Sequence, residues 1–401
     1  MMTGKEIMDT AEQYVLHTYN RYPLAIASGE GVRLYDEDGK AYLDFMSGIG
    51  VHALGYHFPG YDEALIAQIK KVTHTSNLYY HAPLAEAAKK LAESAGLSKV
   101  FFTNSGAEAI EGAIKAARKY SFTAYGPERY EIVSMYESFH GRTAGALSVT
   151  GNDHYQEAFR PLLGGICFAR YNDLSSLEAA LTEKTCAVIL ETVQGEGGIF
   201  PADPAYLAAV RKICDERDIV LILDEVQCGM GRTGDMWAYE AYGVKPDILC
   251  TAKALGCGVP VGAFAVNEKL AASSLVPGDH GTTYGGNPFA AAAVSAVFDL
   301  YAAGDICGRA KKAGEILASR LDELKAEFPF IRAHRGRGLM RGLELDESVS
   351  AGAVTTAALK EGLLIITAGH NVLRFLPPLV ISEEEIIEGT GILEKCLRAI
   401  R

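Results

Sequence analysis

The sequence lacks the features of several protein classes. No apolar run approaches the roughly 18 residues that a membrane-spanning helix needs, so we expect no membrane span. The first residues lead into polar sequence without an apolar core, which argues against a secretory signal. The formal net charge of −12 argues against non-specific nucleic-acid binding, which requires clustered cations. We therefore expect a cytoplasmic protein whose partners are small molecules.

Metal, disulfide and nucleotide motifs are also missing. The eight cysteines include no C-x-x-C pair, and several lie inside apolar runs, which predicts buried free thiols in a reducing compartment. The ten histidines show no H-E-x-x-H or similar spacing, so we predict no metal site. There is no Walker A motif and no strand-linked G-x-G-x-x-G with a following ribose acid. A nucleotide is thereby disfavoured, and a smaller phosphate-bearing cofactor is favoured.

The length and the order of apolar segments predict the fold. A chain of 401 residues exceeds one ordinary core, which favours one large and one smaller domain. From about residue 60, short apolar strands alternate with helices, so we predict an α/β fold with a doubly wound, mostly parallel sheet. The strand candidates are residues 100–103, 131–135, 166–171, 187–191, 219–224, 248–251 and 262–266.

The two ends of the chain have a different pattern. An amphipathic helix is predicted over 5–20, and the Asp38-Gly39 turn predicts a hairpin of residues 32–36 and 41–45, followed by a flexible loop at 47–50. After residue 329 the predicted elements are 338–345, 351–361, 363–367, 372–376 and a C-terminal helix. We assign 55–310 to a large domain, and 1–54 with 311–401 to a smaller α+β domain.

Two apolar strands of the predicted sheet end in charged residues. Residues 219–223 lead to Asp224, and residues 247–251 lead to Lys253. The carboxyl ends of parallel strands point the same way, so both side chains can face one crevice. An acid and a lysine so placed suit pyridoxal phosphate (PLP), with the lysine bonded to its aldehyde and the acid near its ring nitrogen. Strand-end aspartates also cap helices and most lysines are solvated, so this pair alone leaves both interpretations open.

Two further segments suit a phosphate group. Ser105-x-x-Glu108 follows a strand and opens a helix, which is the pattern of a capping box. The same helix N-terminus would present free N–H groups to an anion, and the two functions are compatible. Residues 280–288 are dense in glycine and hydroxyl groups, which suits a second phosphate contact.

Four side chains are candidates for contacts with a cofactor ring or a substrate. Phe139 could stack on a flat aromatic cofactor. Arg142 could bind a carboxylate through two hydrogen bonds, although an ordinary loop arginine explains it equally well. Glu196 lies among glycines and is either a ligand gate or a solvated acid. Arg374 lies in an apolar frame, where a substrate carboxylate would pair its costly charge.

Five motifs occur in a fixed order around Lys253. They are Ser105-Gly106-Ala107-Glu108-Ala109, Phe139-His140-Gly141-Arg142-Thr143, Gln194-Gly195-Glu196-Gly197-Gly198, Asp224-Glu225-Val226-Gln227 and Gly281-Thr282-Thr283-Tyr284-Gly285-Gly286-Asn287-Pro288. Together they resemble the class III (subgroup II) aminotransferases of the fold-type I PLP enzymes. The resemblance extends over residues 29–378. It implies a large domain with a mostly parallel seven-stranded sheet, a smaller α+β domain, PLP as cofactor, and a homodimer with shared active sites.

The resemblance also implies residue roles. Lys253 would bond to the cofactor and carry the transferred proton, and Asp224 would pair with the ring nitrogen. The implied contacts to the cofactor are Val226 and Phe139 on the ring faces, Gln227 near the phenolic oxygen, and Ser105, Gly106, Ala107 and a neighbouring subunit's Thr283 on the phosphate. The implied contacts to substrates are Arg142 and Thr282 at the α-carboxylate, Arg374 at a 2-oxoglutarate carboxylate with Glu196 masking its charge, and Tyr19.

Three positions bear on how far the resemblance extends. Family members often have threonine at Ala107 and proline at Thr192, and we expect the second change to be local. Members that use ornithine carry a tyrosine at Ile49 that helps recognise a free α-amino group, whereas isoleucine suits an acylated one. The resemblance therefore implies transfer of the δ-amino group of N-acetylornithine to 2-oxoglutarate, as in arginine biosynthesis. Ornithine, succinylornithine and 4-aminobutyrate stay open as donors, and so does a non-transaminating relative such as a racemase or decarboxylase.

Overall fold

The computed structural model describes residues 2–400 and is built around one large sheet. Within those residues the sheet has seven strands, and all pairings are parallel except those of Gly262–Val266, which runs antiparallel to both of its neighbours. The predicted mostly parallel sheet is therefore confirmed. Its strands in spatial order are Lys99–Thr103, Gly262–Val266, Ile248–Thr251, Val220–Asp224, Thr185–Glu191, Glu131–Met135 and Ile166–Ala169.

The central strands are apolar on both faces because helices cover both. Every residue of Val220–Asp224 is buried. Side chains alternate along a strand, so Leu221 and Leu223 join the larger hydrophobic core while Val220 and Ile222 join the second core on the opposite face. This packing leaves the strand ends as the places where polar side chains can collect.

Helices connect most of the strands and form the outer layers. The α-helices are Gly4–Tyr14, Ser47–Gly50, Tyr61–Ile69, Ala82–Ala95, Gly106–Tyr125, Ala144–Ser148, Asp153–Gln156, Leu174–Ala180, Pro204–Arg217, Glu268–Ser273, Pro288–Ala303, Ile306–Glu327, Ala351–Lys360 and Glu383–Ala399. Short 3₁₀ helices are Glu157–Phe159, Ala238–Tyr242 and Lys253–Leu255. Across residues 2–400, no helix taken singly has the length and apolarity to cross a membrane; Pro288–Ala303 and Ile306–Glu327, bent by 67°, pass that test only as a pair.

The two ends of the chain meet in a separate sheet. Its strands in order are Ile26–Glu30, Arg33–Asp36, Ala41–Asp44 and Leu363–Leu364, and the last pair is parallel. A second four-stranded sheet has the order Ile331–Arg337, Met340–Leu345, Val372–Phe375 and Ile366–Ala368, and Val193–Gln194 pairs with Phe200–Pro201. The N-terminal hairpin is thus completed by a segment from the C-terminal part of the chain.

Three local predictions differ from the structure. The first helix ends at Tyr14 and not at residue 20, and it buries no side chain that would stabilise further turns. Residues 363–367, expected as one strand, divide between the two four-stranded sheets. The short helical turn Ser47–Gly50 stands in place of the expected loop, and its four residues have positive φ, so this turn is left-handed and not a regular α-helix. Its Ser47 has φ 44° and donates from Oγ to the carbonyl of Leu376 at 2.6 Å.

Candidate active site

The carboxyl ends of neighbouring sheet strands open into one cavity of about 490 Å³. Asp224 and Lys253, which end adjacent strands, both line it. The other lining residues used below are Val51, Asn104, Ser105, Gly106, Ala107, Phe139, His140, Arg142, Glu191, Val226 and Gln227. The volume lies within the range of ordinary small-molecule sites. The cavity is therefore a candidate active site, and it holds residues from three of the five motifs.

Lys253 begins a short 3₁₀ helix directly after a strand and has an unusual backbone conformation. Its φ is 47°, in the left-handed region that costs a non-glycine residue about 1–2 kcal/mol. The conformation is held by the Lys253 carbonyl, which accepts hydrogen bonds from the N–H groups of Gly256 and Cys257. Desolvation lowers the pKa of Lys253 more than the charge of Glu196 raises it. A lysine with a lowered pKa is more readily the neutral amine that attacks a carbonyl carbon.

Asp224 forms a buried pair with His140. His140 Nδ1 lies 2.7 Å from Asp224 Oδ2, and both side chains are buried. The other carboxylate oxygen of Asp224 accepts a hydrogen bond from the Val226 N–H at 2.9 Å. His140 belongs to the motif of residues 139–143, but no role for it follows from the sequence. Its contact with Asp224 could not be read from the motif, because it depends on how two separate strands align.

Glu191 is a second acid at the same edge of the sheet. It pairs in register with Asp224 across two parallel strands. Its oxygens accept hydrogen bonds from the N–H groups of Gly195, at 3.0 Å, and Phe139, at 3.1 Å. Burial raises the pKa of Glu191 to about 7, although these hydrogen bonds act against the rise. No role for Glu191 follows from the sequence.

The helix Gly106–Tyr125 begins at the cavity with Ser105 as its N-cap. The Ser105 hydroxyl accepts a hydrogen bond from the Glu108 N–H at 3.2 Å, as the capping-box pattern predicts. A capping box would also have the Glu108 carboxylate accept from the Ser105 N–H, and that part of the prediction is wrong. The carboxylate accepts instead from the Asn104 N–H, at 2.6 Å. Gly106 lets the helix approach the next loop, because a Cβ here would lie 2.9 Å from a methyl group of Val226.

Arg374 and Glu196 form an ion pair beside the cavity. The Arg374 side chain is only 3% exposed, and its Nη1 lies 2.5 Å from Glu196 Oε1. The same nitrogen lies 3.3 Å from the side-chain oxygen of Gln227, which lines the cavity. Burial raises the pKa of Glu196, but the charge and hydrogen bonds of Arg374 outweigh it, so that the pKa ends below its usual value. Glu196 is therefore a paired acid and not the solvated one that the sequence left open.

Arg142 lines the cavity and stacks on aromatic rings. Its guanidinium carbon lies 3.7 Å from the centre of the Tyr155 ring and 5.4 Å from that of Phe139. Such cation–π contacts hold an exposed guanidinium in one orientation. The flat group is thus presented to the cavity rather than lying free on a loop.

Five predicted site residues do not line the cavity of their own chain: Arg374 and Glu196, which lie beside it, and Thr282, Thr283 and Tyr19. The Thr282 hydroxyl lies 3.3 Å from the side-chain nitrogen of Asn104, which does line it. Thr283 is exposed, in keeping with its expected contact to another subunit. Tyr19 is 71% exposed and lies in the irregular segment after the first helix. A single chain therefore does not bring Thr282, Thr283 and Tyr19 to the site.

Comparisons with known proteins agree with this geometry. The family described as Aminotransferase class-III matches residues 14–397. An acetylornithine aminotransferase from Caldanaerobacter subterraneus subsp. tengcongensis is 47% identical over 97% of this chain and 98% of that protein. Another from Methanocaldococcus jannaschii is 47% identical over 100% of both. An ornithine aminotransferase from Toxoplasma gondii, solved with partial occupancy of PLP at its active site, has a TM-score of 0.96 at 31% identity, covering 99% of this chain and 95% of that one. The chain therefore belongs to the class-III aminotransferase family.

Proposed function

We propose that this aminotransferase moves the δ-amino group of N-acetylornithine to 2-oxoglutarate, giving N-acetylglutamate 5-semialdehyde and glutamate. The observation that carries the proposal is one cavity that holds Lys253 and the Asp224–His140 pair beside the Arg374–Glu196 pair. The relatives at 47% identity that are named acetylornithine aminotransferase support the choice of amine. The ornithine aminotransferase of Toxoplasma gondii is less similar in sequence, at 31%.

The donor set of the cavity fits PLP. An amine with a lowered pKa suits the aldehyde, and a buried carboxylate that already accepts hydrogen bonds suits a protonated ring nitrogen. The start of the helix Gly106–Tyr125 offers N–H groups without intrahelical partners to a phosphate. When bound, PLP supplies a ring that accepts the electrons left on the substrate carbon.

The residues proposed to hold PLP fall into three groups. Lys253 would bind its aldehyde, and Asp224 its ring nitrogen. The ring would lie between Phe139 and Val226, with Gln227 at the phenolic oxygen. The phosphate would be bound by Ser105, Gly106 and Ala107, together with Thr283 of a second copy.

The chain's own acids and bases then have defined tasks. Lys253 would take the proton from the substrate carbon and deliver it to the cofactor. The lowered pKa of the lysine assists this transfer. His140 would hold Asp224 in one orientation, so that the carboxylate stays beside the ring nitrogen. Arg142 would bind the α-carboxylate of the substrate, because it lines the cavity and its guanidinium is held by stacking on Tyr155.

The Arg374–Glu196 pair can serve two substrates in turn. N-acetylornithine offers no second carboxylate, so Arg374 would stay paired with Glu196 during its reaction. 2-Oxoglutarate has a second carboxylate that can replace Glu196 as the partner of the buried cation. One arginine thus accepts both substrates, provided that the Glu196 side chain moves.

Ile49 supports an acylated amine as the donor. It lies in the left-handed turn two residues before Val51, which lines the cavity. An isoleucine offers no hydrogen bond to a free ammonium group but tolerates an acetamide. Tyr19 and Thr282 would complete the substrate contacts.

We also propose that the enzyme is a homodimer with shared sites. Thr283 and the adjacent Tyr284 are exposed, and so are Leu78 and Tyr80 in a nearby loop. Large apolar side chains exposed together are typical of a subunit interface. Such an interface would bring Thr283 to the phosphate of the partner.

Half-reaction kinetics test the substrate. The purified enzyme with PLP is mixed with N-acetylornithine, ornithine, succinylornithine or 4-aminobutyrate, and the loss of the cofactor absorbance is followed. We expect N-acetylornithine to give the highest kcat/KM, and Lys253→Ala to show no reaction with any amine. An equal or higher value for ornithine would contradict the substrate proposal. Repeated turnover of a single amine without 2-oxoglutarate would point to a racemase or decarboxylase.

A further inference from the structure

Glu191 is a buried carboxylate of the cavity to which the proposed mechanism gives no task. One of its oxygens accepts a hydrogen bond from the Gly195 N–H, and the other accepts from the Phe139 N–H. These donors belong to different loops, which follow two different strands of the sheet. A single side chain therefore ties together the loop that carries Glu196 and the loop that carries Phe139.

The backbone around Glu196 is held from both sides. Gly195, just before it, donates to Glu191, and the Glu196 carbonyl accepts from the Gly369 N–H at 2.7 Å. Gly195 packs closely against Gln227, since a Cβ there would lie 2.6 Å from the Gln227 side-chain oxygen. The Glu196 side chain, in contrast, is partly exposed, so it has solvent beside it into which it can rotate.

The second hydrogen bond of Glu191 acts on the opposite wall. The Phe139 ring lines the cavity, and the next residue, His140, pairs with Asp224. Fixing the Phe139 N–H therefore also fixes the start of the segment that places His140. Glu191 gives the two walls a common point of attachment, at the end of a strand that is buried along its whole length.

We propose that Glu191 is a positioning residue that keeps the backbone of Glu196 stationary, so that the exchange between the two substrates is a rotation of the Glu196 side chain alone. This inference rests on the proposed function, because it concerns the same Arg374–Glu196 pair. A carboxylate suits the task, since both of its oxygens accept hydrogen bonds. An amide offers one acceptor and would turn its NH₂ group toward the other N–H, leaving a buried donor unpaired.

The substitution Glu191→Gln tests the inference through the ratio of the two half-reactions. If the Gly195 hydrogen bond is lost, Glu196 pairs poorly with Arg374, and an unpaired buried cation then faces the amine end of N-acetylornithine, which carries no carboxylate. We expect kcat/KM for N-acetylornithine to fall about tenfold relative to that for 2-oxoglutarate. A displaced Phe139 would slow both half-reactions by a similar factor, and this factor would cancel in the ratio of the two kcat/KM values. A ratio equal to that of the wild type would overturn the proposal.

Glu225 provides a matched control. It is also buried, follows Asp224 directly, and has a pKa raised to about 7 by burial. Its carboxylate accepts hydrogen bonds from the Thr192 hydroxyl and from the N–H groups of Ala238 and Tyr239, and none of these three residues lines the cavity. Glu225→Gln therefore removes a similar group from the same region without touching Gly195 or Phe139. The same shift in ratio for both variants would assign the effect to lost charge and would also overturn the proposal.

A measurement without cofactor or substrate separates this inference from the proposed function. Amide hydrogen exchange of residues 193–198 is followed in the cofactor-free protein. Glu191→Gln should accelerate exchange in that segment, and Glu225→Gln should not. If exchange behaves so while the wild type does not use N-acetylornithine, the substrate proposal fails alone. Unchanged exchange in Glu191→Gln overturns the positioning role.

Glu191→Asp covers the case in which the glutamine variant does not fold. Aspartate keeps the charge but is one methylene shorter, so its carboxylate cannot reach both N–H groups. We expect the same direction of change in the half-reaction ratio and in amide exchange. Wild-type values for Glu191→Asp in both measurements would overturn the proposal.

Discussion

Gly106 allows the effect of one added methyl group to be worked out from the structure. A Cβ at this position would lie 2.9 Å and 3.1 Å from the two methyl groups of Val226. Carbon atoms in favourable contact are about 3.5–4.0 Å apart, so Val226 would have to move by roughly half an ångström or more. Gly106 does not have a positive φ, and alanine there would cause a steric clash rather than backbone strain.

We expect Gly106→Ala to weaken the binding of PLP. Forcing extra atoms into a packed site costs about 1–3 kcal/mol. Val226 lines the cavity at the place proposed for the cofactor ring, so its displacement narrows that space. If the cost falls on the bound state, Kd rises about 5- to 150-fold. The measurement is a titration of the cofactor-free protein with PLP, followed by absorbance.

Two further variants identify the cause. Gly391→Ala, in the helix Glu383–Ala399, adds a Cβ that has no atom within 4 Å apart from its chain neighbours and the backbone of its own helix, and it should bind PLP like the wild type. Val226→Ala removes the two methyl groups that would collide, so the double variant Gly106→Ala/Val226→Ala should bind as Val226→Ala does. A wild-type Kd for Gly106→Ala would refute the reasoning. So would a double variant as weak as Gly106→Ala alone.

Two other predictions concern a cation and a buried acid. Arg142→Lys loses two-point hydrogen bonding to a carboxylate and the stacking on Tyr155. We therefore expect kcat/KM for N-acetylornithine to fall about ten- to hundredfold. An unchanged value would show that another residue binds the substrate carboxylate. Burial raises the pKa of Glu225 from 4.5 to about 7. Between these two pH values the folded state therefore binds more protons than the unfolded state. The free energy of unfolding should fall by roughly 3 kcal/mol as the pH rises through this window. Denaturant unfolding at several pH values and one protein concentration should show a shallower fall for Glu225→Gln; equal slopes would contradict the raised pKa.

The parts of the site that could be predicted follow from local patterns. Residues 219–223 are wholly apolar, and a strand buried on both faces is the simplest structure for them. The presence of Asp224 and Lys253 in one cavity follows from a general property of parallel sheets, whose strand ends share one edge. The motif order around Lys253 then gave the family.

The parts that could not be predicted depend on contacts between distant segments. His140 reaches Asp224 only because the strand of residues 131–135 is two places from Val220–Asp224 in the sheet. The Arg374–Glu196 pair follows only from the resemblance to the family and not from residue patterns, because it joins a sheet at one end of the chain to a loop of the central sheet. Neither strand order nor register is encoded in the spacing of apolar residues.

Thr192 shows the same limitation on a smaller scale. The substitution was expected to be local, and its hydroxyl does contact a single side chain, the buried Glu225, at 2.5 Å. The identity of the acid that the Thr192 hydroxyl contacts depends on which strand lies next to the one that ends just before Thr192. The threonine supplies a donor that a proline could not provide to this carboxylate.

The pairing of Leu363–Leu364 with Ala41–Asp44 has a consequence for synthesis on the ribosome. The N-terminal strands emerge first, but the strand that covers their free edge is translated only after most of the chain. Until then the nascent protein exposes backbone N–H and C=O groups along Ala41–Asp44, which are open to pairing with other chains. Translation products that stop before residue 363 would keep this edge uncovered and would be the ones most prone to aggregate.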